Sequence, residues 1–212
     1  IKIVGKSIIN SLLDSLNITD EMIYIPYNKE YEKYRLESTL MKFYPNIKFK
    51  FLCLNENTRG AAETINIALK ELEIVDCPII CLDGDNFYKT DIIKKWDGKN
   101  MVFTVEEKNE SAIYSYIKNE GNRIIDIIEK EKVSDYACTG AYGFESYKKL
   151  LKYTNEIIEK NIMSKGEFYT SNVIKQMIKS SMVFEYSVLD KKHWCCLGTP
   201  IQVRSFCNNN PL

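Results

Sequence analysis

The chain is poor in several residues on which large enzyme classes depend. It holds one histidine, His193, and no Gly-x-Ser-x-Gly elbow, which argues against acyl transfer by a Ser-His-Asp arrangement. Nine glycines and no G-x-x-x-x-G-K run leave neither a P-loop nor a dinucleotide fingerprint. Long apolar runs are missing: Ile79–Leu82 is typical in lasting only a few residues, so no segment reads as a membrane span. An excess of either charge is missing too. The 29 basic side chains are matched by 29 acidic ones, which speaks against a basic nucleic-acid coat. Without that excess the fourteen tyrosines read as core, or as stacking surface for one base or sugar, and no nucleic acid is expected as partner. The seven cysteines are an odd number without a C-x-x-C pair, and several sit in apolar strand-like runs. They predict reduced thiols in a cytoplasmic protein. Cys195 and Cys196 are adjacent and would chelate zinc poorly with His193, with a fourth ligand wanting. No signal-peptide pattern is read.

What is present is an alternation of strand and helix. A chain of 212 residues can bury roughly 70% of its unfolded surface, enough for a core without staples, and residues 1–212 read as one domain. Ile1–Val4 reads as the end of a strand, turned by Gly5. Ser7–Leu16 has apolar residues at helical spacing. Met22–Ile25 is an apolar strand closed by Pro26, Glu30–Tyr44 an amphipathic helix, Ile47–Leu54 a half-buried strand, Ala61–Leu72 a helix and Pro78–Leu82 a buried strand. Such β-α-β units imply a mostly parallel, doubly wound sheet. After Asp85 the pattern turns to strands: Met101–Val105, the hairpin Ala112–Ile117 with Arg123–Ile128, and Ala137–Phe144. Helices at Tyr147–Lys160 and from about Glu167, then a strand at Val183–Leu189, complete the reading, with a linker-like tail at 207–212.

Four short segments carry candidate chemistry. In Ile79-Ile80-Cys81-Leu82-Asp83-Gly84-Asp85-Asn86 an apolar strand runs into two carboxylates, where open α/β sheets bind ligands. Two acids on a sharp turn suit a hard cation such as magnesium. An acidic turn with no ligand explains them equally well. Asn57-Thr58-Arg59-Gly60-Ala61-Ala62-Glu63 opens a helix with small residues that would admit an anionic or planar ligand, or is a plain helix N-terminus. Glu129-Lys130, followed by Cys138-Thr139-Gly140-Ala141, offers a lysine for a phosphate, against a default of a surface ion pair. In Lys165-Gly166-Glu167-Phe168-Tyr169, Glu167 either complements a helix dipole or binds a sugar hydroxyl or metal.

In order and spacing these segments, with Ile3-Val4-Gly5-Lys6-Ser7-Ile8-Ile9 before them and Trp194-Cys195-Cys196-Leu197-Gly198-Thr199-Pro200 after, resemble the sugar-phosphate nucleotidyltransferases of the glucose-1-phosphate thymidylyltransferase superfamily. The likeness covers nearly the whole chain and is nearest to the capsular-polysaccharide subgroup. It implies a Rossmann-related, glycosyltransferase-A-like α/β fold, a mixed and mostly parallel central sheet flanked by helices, and Mg2+-dependent transfer of a nucleotidyl group. By position Asp85 would be the metal ligand, joined by Glu167 or water, with Asp83 an accessory. Arg59, Gly60 and Ala61 would lie against the nucleotide, Lys130 would hold the phosphate of the acceptor, and Glu129, Thr139, Gly140 and Glu167 would line its polar groups.

The partners so implied are a nucleoside triphosphate and a sugar phosphate, with a homo-oligomer by analogy alone. Two departures stand out. The glycine-rich loop of the family, its arginine and a following lysine are expected before Ile1, and a chain without them is expected to turn over poorly. Where many relatives have an aspartate two residues before the late Gly-Thr, this chain has Cys196. The missing base suits the chemistry, because an acceptor phosphate with a second pKa near 6 is already anionic at pH 7. Three other functions fit the same segments: cytidylyl transfer to a small phosphorylated alcohol or phosphonate, a glycosyltransferase using the Asp-Gly-Asp turn, and a non-catalytic binding chain. The linker-like tail leaves room for a further domain after residue 212.

Overall fold

The computed structural model describes residues 2–3 and 5–209. Its contacts resolve into two compact units, Ile1–Asn17 with Pro78–Glu145 and Ile178–Leu212, and Ile18–Cys77 with Ser146–Met177. Of the expected strand at Ile1–Val4, only the pair β1 (Lys2–Ile3) and β2 (Lys6–Ser7) is described, folded back at Gly5. Ile1 and Val4, and residues 210–212 of the tail, lie outside the described residues. Ser7 caps α1 (Ile8–Asp14), its Oγ accepting from the Asn10 N–H at 3.3 Å. That replaces one of the donors a helix start leaves unmet.

The second unit begins with β3 (Met22–Asn28) and β4 (Lys48–Leu54), a parallel pair in register from Met22 against Lys48 to Asn28 against Leu54. Pro26 does not end β3 as expected but pairs with Leu52. Among the described residues β3 pairs with β4 alone, and an edge strand tolerates the missing N–H. The helix expected over 30–44 is broken. Lys29–Tyr34 forms a 3-10 turn with no buried residue, so nothing holds it to the wider α geometry, and Arg35, in the left-handed region at φ 52°, restarts the chain into α2 (Leu36–Phe43). Next, α3 (Ala61–Lys70) buries Ala62, Asn66, Ala68 and Leu69.

The chain then enters the first unit with β5 (Ile79–Leu82), β6 (Asn86–Tyr88), α4 (Ile92–Lys95), β7 (Met101–Glu106), β8 (Ser115–Glu120), β9 (Arg123–Glu129) and β10 (Tyr136–Phe144). It returns to the second for α5 (Tyr147–Glu159), which packs on α3 through Asn66, whose amide donates to Thr154 Oγ1 at 3.0 Å and Asn155 Oδ1 at 2.9 Å. The helix expected from about Glu167 is α6 (Thr170–Lys179), which leads back to the first unit. There β11 (Glu185–Leu189), β12 (Trp194–Cys196) and α7 (Pro200–Asn209) follow. The expected linker-like tail is therefore helical as far as Asn209.

The six-stranded sheet of the first unit runs β5-β10-β7-β11-β9-β8. Only β7 and β11 are parallel neighbours; β5–β10, β10–β7, β11–β9 and β8–β9 are antiparallel. The expectation of a mostly parallel sheet is thus corrected to a mixed one. Alternation of strand and helix tells how strands are connected, not which strands are neighbours. The parallel pair supplied by the first β-α-β repeat stands in the second unit, and the hairpin β8–β9 and the long strand β10 dominate the first. Phe103, Val105, Tyr88, Ile92, Tyr116, Ala137, Ala141 and Leu189 form the first unit's core together with Leu12 of α1.

Candidate active site

The candidate residues fall into two groups, one in each unit. The first is built on the bulge of β10. Its register against β7 shifts between Cys138 and Tyr142, and Gly140 within the shift has φ 81°. Bulges of this kind re-aim the chain beside functional sites. Here the Gly140 carbonyl accepts from the Asp83 N–H at 2.8 Å, closing the turn after β5. A Cβ on Gly140 would stand 2.6 Å from Asp83 Oδ2 and 2.8 Å from Asn86 Nδ2, so only glycine admits the carboxylate here. The turn closes again where the Asn86 N–H donates to the Asp83 carbonyl at 3.2 Å.

Asp85 is held by two hydrogen bonds and lies against Gly198. Asn86 Nδ2 donates to its Oδ1 at 2.9 Å, its carbonyl accepts from the Leu197 N–H at 2.9 Å, and its Oδ2 faces the space beside Gly198, which a Cβ would fill. Thr139 lies under the turn: its hydroxyl donates to the Phe103 carbonyl at 2.9 Å, and its own carbonyl accepts from the Tyr88 hydroxyl at 2.9 Å and the Trp194 indole at 3.0 Å. Glu129 ends β9 with its carboxylate accepting a hydrogen bond from the buried Ser115 hydroxyl. Lys130 follows in the left-handed region at φ 51°, its N–H donating to the Tyr114 carbonyl at 2.9 Å and its side chain exposed. Asp83, Asp85, Glu129, Thr139 and Gly140 thus come together, with Lys130 at the end of the hairpin that carries Glu129.

The electrostatics are those of clustered carboxylates taken out of water. Burial lifts the Asp83 carboxyl to about 7, helped by the charges of Asp85 and Glu129, and burial raises Asp85 as well. The thiols around them are pushed up by the same desolvation, Cys81 to about 12, Cys195 to about 11, and Cys196 also upward. Cys196 is therefore a neutral thiol at pH 7, no substitute for a hard oxygen ligand. Among the described residues no group of three or more His, Cys, Asp or Glu side chains is arranged to hold a metal. Two clustered carboxylates fit magnesium all the same, since that ion keeps several waters and completes its shell with substrate phosphates.

The second group surrounds the start of α3. Gly60 caps it at φ 134°, and a Cβ there would lie 2.6 Å from the Phe168 carbonyl oxygen and 2.8 Å from its nitrogen. The close approach lets the Phe168 N–H donate to the Arg59 carbonyl at 2.8 Å and the Ala62 N–H donate to the Phe168 carbonyl at 2.9 Å. The Arg59 guanidinium lies 4.8 Å over the Phe168 ring and is paired with Glu63. Ala61 opens the helix, and exposed Glu167 stands beside Phe168 on a tight turn, Lys165 and Gly166 both at positive φ and Ser164 exchanging backbone bonds of 3.0 Å with Glu167. Arg59, Gly60 and Ala61 therefore sit with Glu167, while Asp85 belongs to the first unit.

Comparison with known proteins decides the class of the chain. The description of the family "Nucleotidyl transferase" matches residues 1–209. The chain belongs to that family, and it is an enzyme. Among solved structures, the nucleoside-diphosphate-sugar pyrophosphorylase from Vibrio cholerae RC9 superposes with a TM-score of 0.85 at 19% identity, over 98% of this chain and 90% of that one. The inositol-1-phosphate CTP transferase from T. maritima gives 0.75 at 12% identity, over 95% and 80%. A putative glucose-1-phosphate thymidylyltransferase from Bacillus anthracis, in complex with a sucrose, gives 0.73 at 18%, over 97% and 82%. At such identities the likeness is one of fold. No curated protein matches the chain.

Nothing in the sequence pointed to the side chains that support these segments. Asn86, Tyr88, Ser115 and Trp194 hold the turn and the hairpin, and Phe168 carries Arg59. Asn86, Phe168 and Trp194 stood inside recognised segments, yet nothing in their spacing tells what each side chain meets. None of the described helices is long and apolar enough to cross a membrane.

Proposed function

We propose that this nucleotidyltransferase moves a nucleotidyl group from a nucleoside triphosphate to a sugar 1-phosphate, releasing pyrophosphate and giving a nucleoside-diphosphate sugar for surface polysaccharide. The observation that carries the reading is the pair Asp83 and Asp85 just after β5, with Asp85 Oδ2 lying against Gly198, where only a residue without a Cβ leaves it room. Asp85, with Asp83 beside it, would hold Mg2+, which when bound neutralises phosphate charge. An oxygen of the acceptor phosphate bonds to the α-phosphorus while the bond from that phosphorus to the bridging oxygen breaks, and pyrophosphate carries away the electron pair. No proton need be removed, so the work left to the chain is positioning and charge. The exposed ammonium of Lys130 engages the acceptor phosphate, and Glu129 the hydroxyls of the sugar. Arg59, already paired with Glu63, serves the base side better than the triphosphate.

The test is pyrophosphate release by the full-length protein across the four common triphosphates with Mg2+. Asp85→Ala and Lys130→Ala are each expected to lower kcat/KM by about 100-fold or more. Near-normal turnover by Asp85→Ala would overturn the assignment. The likeness to the T. maritima CTP transferase supports a second reading, cytidylyl transfer to a small phosphorylated alcohol. Strict dependence on CTP, with inositol 1-phosphate accepted over glucose 1-phosphate, would select it.

A further inference from the structure

We propose that Trp194 is a positioning residue for Asp85, acting through the side-chain amide of Asn86. An indole N–H can only donate, so the amide atom it meets at 3.1 Å is the oxygen, Asn86 Oδ1. That choice sets the other end of the amide. The NH2 points at Asp85 and donates to Oδ1 at 2.9 Å. A flipped amide would set NH2 against indole N–H and oxygen against carboxylate oxygen, two repulsive contacts in place of two hydrogen bonds. With Oδ1 held in this way, Asp85 keeps Oδ2 toward the space beside Gly198.

The backbone keeps the three residues in step. β12 pairs with β6, Cys196 opposite Asn86 and Trp194 opposite Tyr88, and the Leu197 N–H donates to the Asp85 carbonyl. The Trp194 ring meets Tyr114 edge-on at 5.2 Å, and the Tyr114 hydroxyl accepts from Gln202 Nε2 of α7 at 3.2 Å. The indole also donates to the Thr139 carbonyl, but that oxygen keeps the Tyr88 hydroxyl as a second donor at 2.9 Å. Loss of the indole N–H therefore leaves Asn86 Oδ1, not Thr139, without a donor among the described residues. Asn86 is buried, so the loss is not made good by bulk water.

The inference rests on the reading of Asp85 as the cation ligand, and the experiment separates the two. Mn2+ binding to the full-length protein is followed by electron paramagnetic resonance, alongside the Mg2+ dependence of pyrophosphate release. Trp194→Phe keeps the ring and removes the donor; it should weaken Mn2+ by about tenfold. Asn86→Leu, or Asn86→Ala if the leucine variant does not fold, should weaken it as much, and the double variant no further than Asn86→Leu alone. Trp194→His, which retains a ring N–H, should recover part of the affinity. Additive losses in the double variant, or unchanged Mn2+ binding by Trp194→Phe, would overturn the role of Trp194. If Asp85→Ala leaves Mn2+ affinity untouched, the reading of Asp85 falls instead.

Discussion

Single atoms decide what the turn after β5 can be. Gly140 has a left-handed backbone and no room for a methyl group between Asp83 and Asn86. Gly140→Ala is expected to cost about 1–3 kcal/mol in backbone strain and to displace the Asp83 carboxylate. The check is a lowered urea midpoint together with lost pyrophosphate release; a variant of normal stability and rate would show that β10 takes another path. Asp83 itself imposes a pH dependence. Its carboxyl is raised from 3.8 to about 7 in the folded chain, so the folded state holds the proton over a range in which the unfolded state has lost it. Stability is then greatest below the ordinary carboxylate range and declines as pH climbs toward 7. In metal-free buffer Asp83→Asn should flatten that decline, and melting curves between pH 5 and pH 8 (about three units of span) read it directly.

Secondary-structure elements carry the next set of consequences. Ser146 caps α5, accepting from the Lys149 N–H at 3.1 Å while its hydroxyl donates to Asp76 at 2.7 Å. Ser146→Ala is expected to destabilise the protein by about 1–2 kcal/mol, measured by urea denaturation, with activity per folded molecule little changed. A Cys77–Tyr147 backbone bond of 3.0 Å ties the same helix start to the end of the first long stretch of its unit.

This level is also where the sequence was most and least legible. Strands such as β4, β7, β9 and β11, and helices α1, α3 and α5, stand close to where apolar runs and spacing put them, because each is long enough to write its apolar pattern in the residues. The short elements β6, α4 and β12 went unread. Three or four residues do not complete a period, and their order comes from partners far along the chain, as Trp194 with Tyr88. The acids, glycines and lysine of the candidate site were legible as local patterns. The mixed sheet was not, since neighbour relations among strands leave no trace in spacing.

Across the whole molecule, the path of the backbone matters more than any one contact. β11 comes late in the chain yet lies between β7 and β9. A chain ending at Ser181 would keep both neighbours and lose the strand between them, with the parallel bonds from Glu185 to Leu189. It is expected to show no cooperative melting transition, and hydrogen exchange at Met101–Glu106 faster than in the intact protein. Protected amides in that strand would mean that the sheet closes without β11.

Each unit is threaded from separate stretches of the chain, and the acids after β5 belong to one while the glycine at α3 belongs to the other. No single cut in the coding sequence yields two self-sufficient pieces. Recombination can therefore exchange loops and side chains at either group, but it must pass the two on together, as one heritable block.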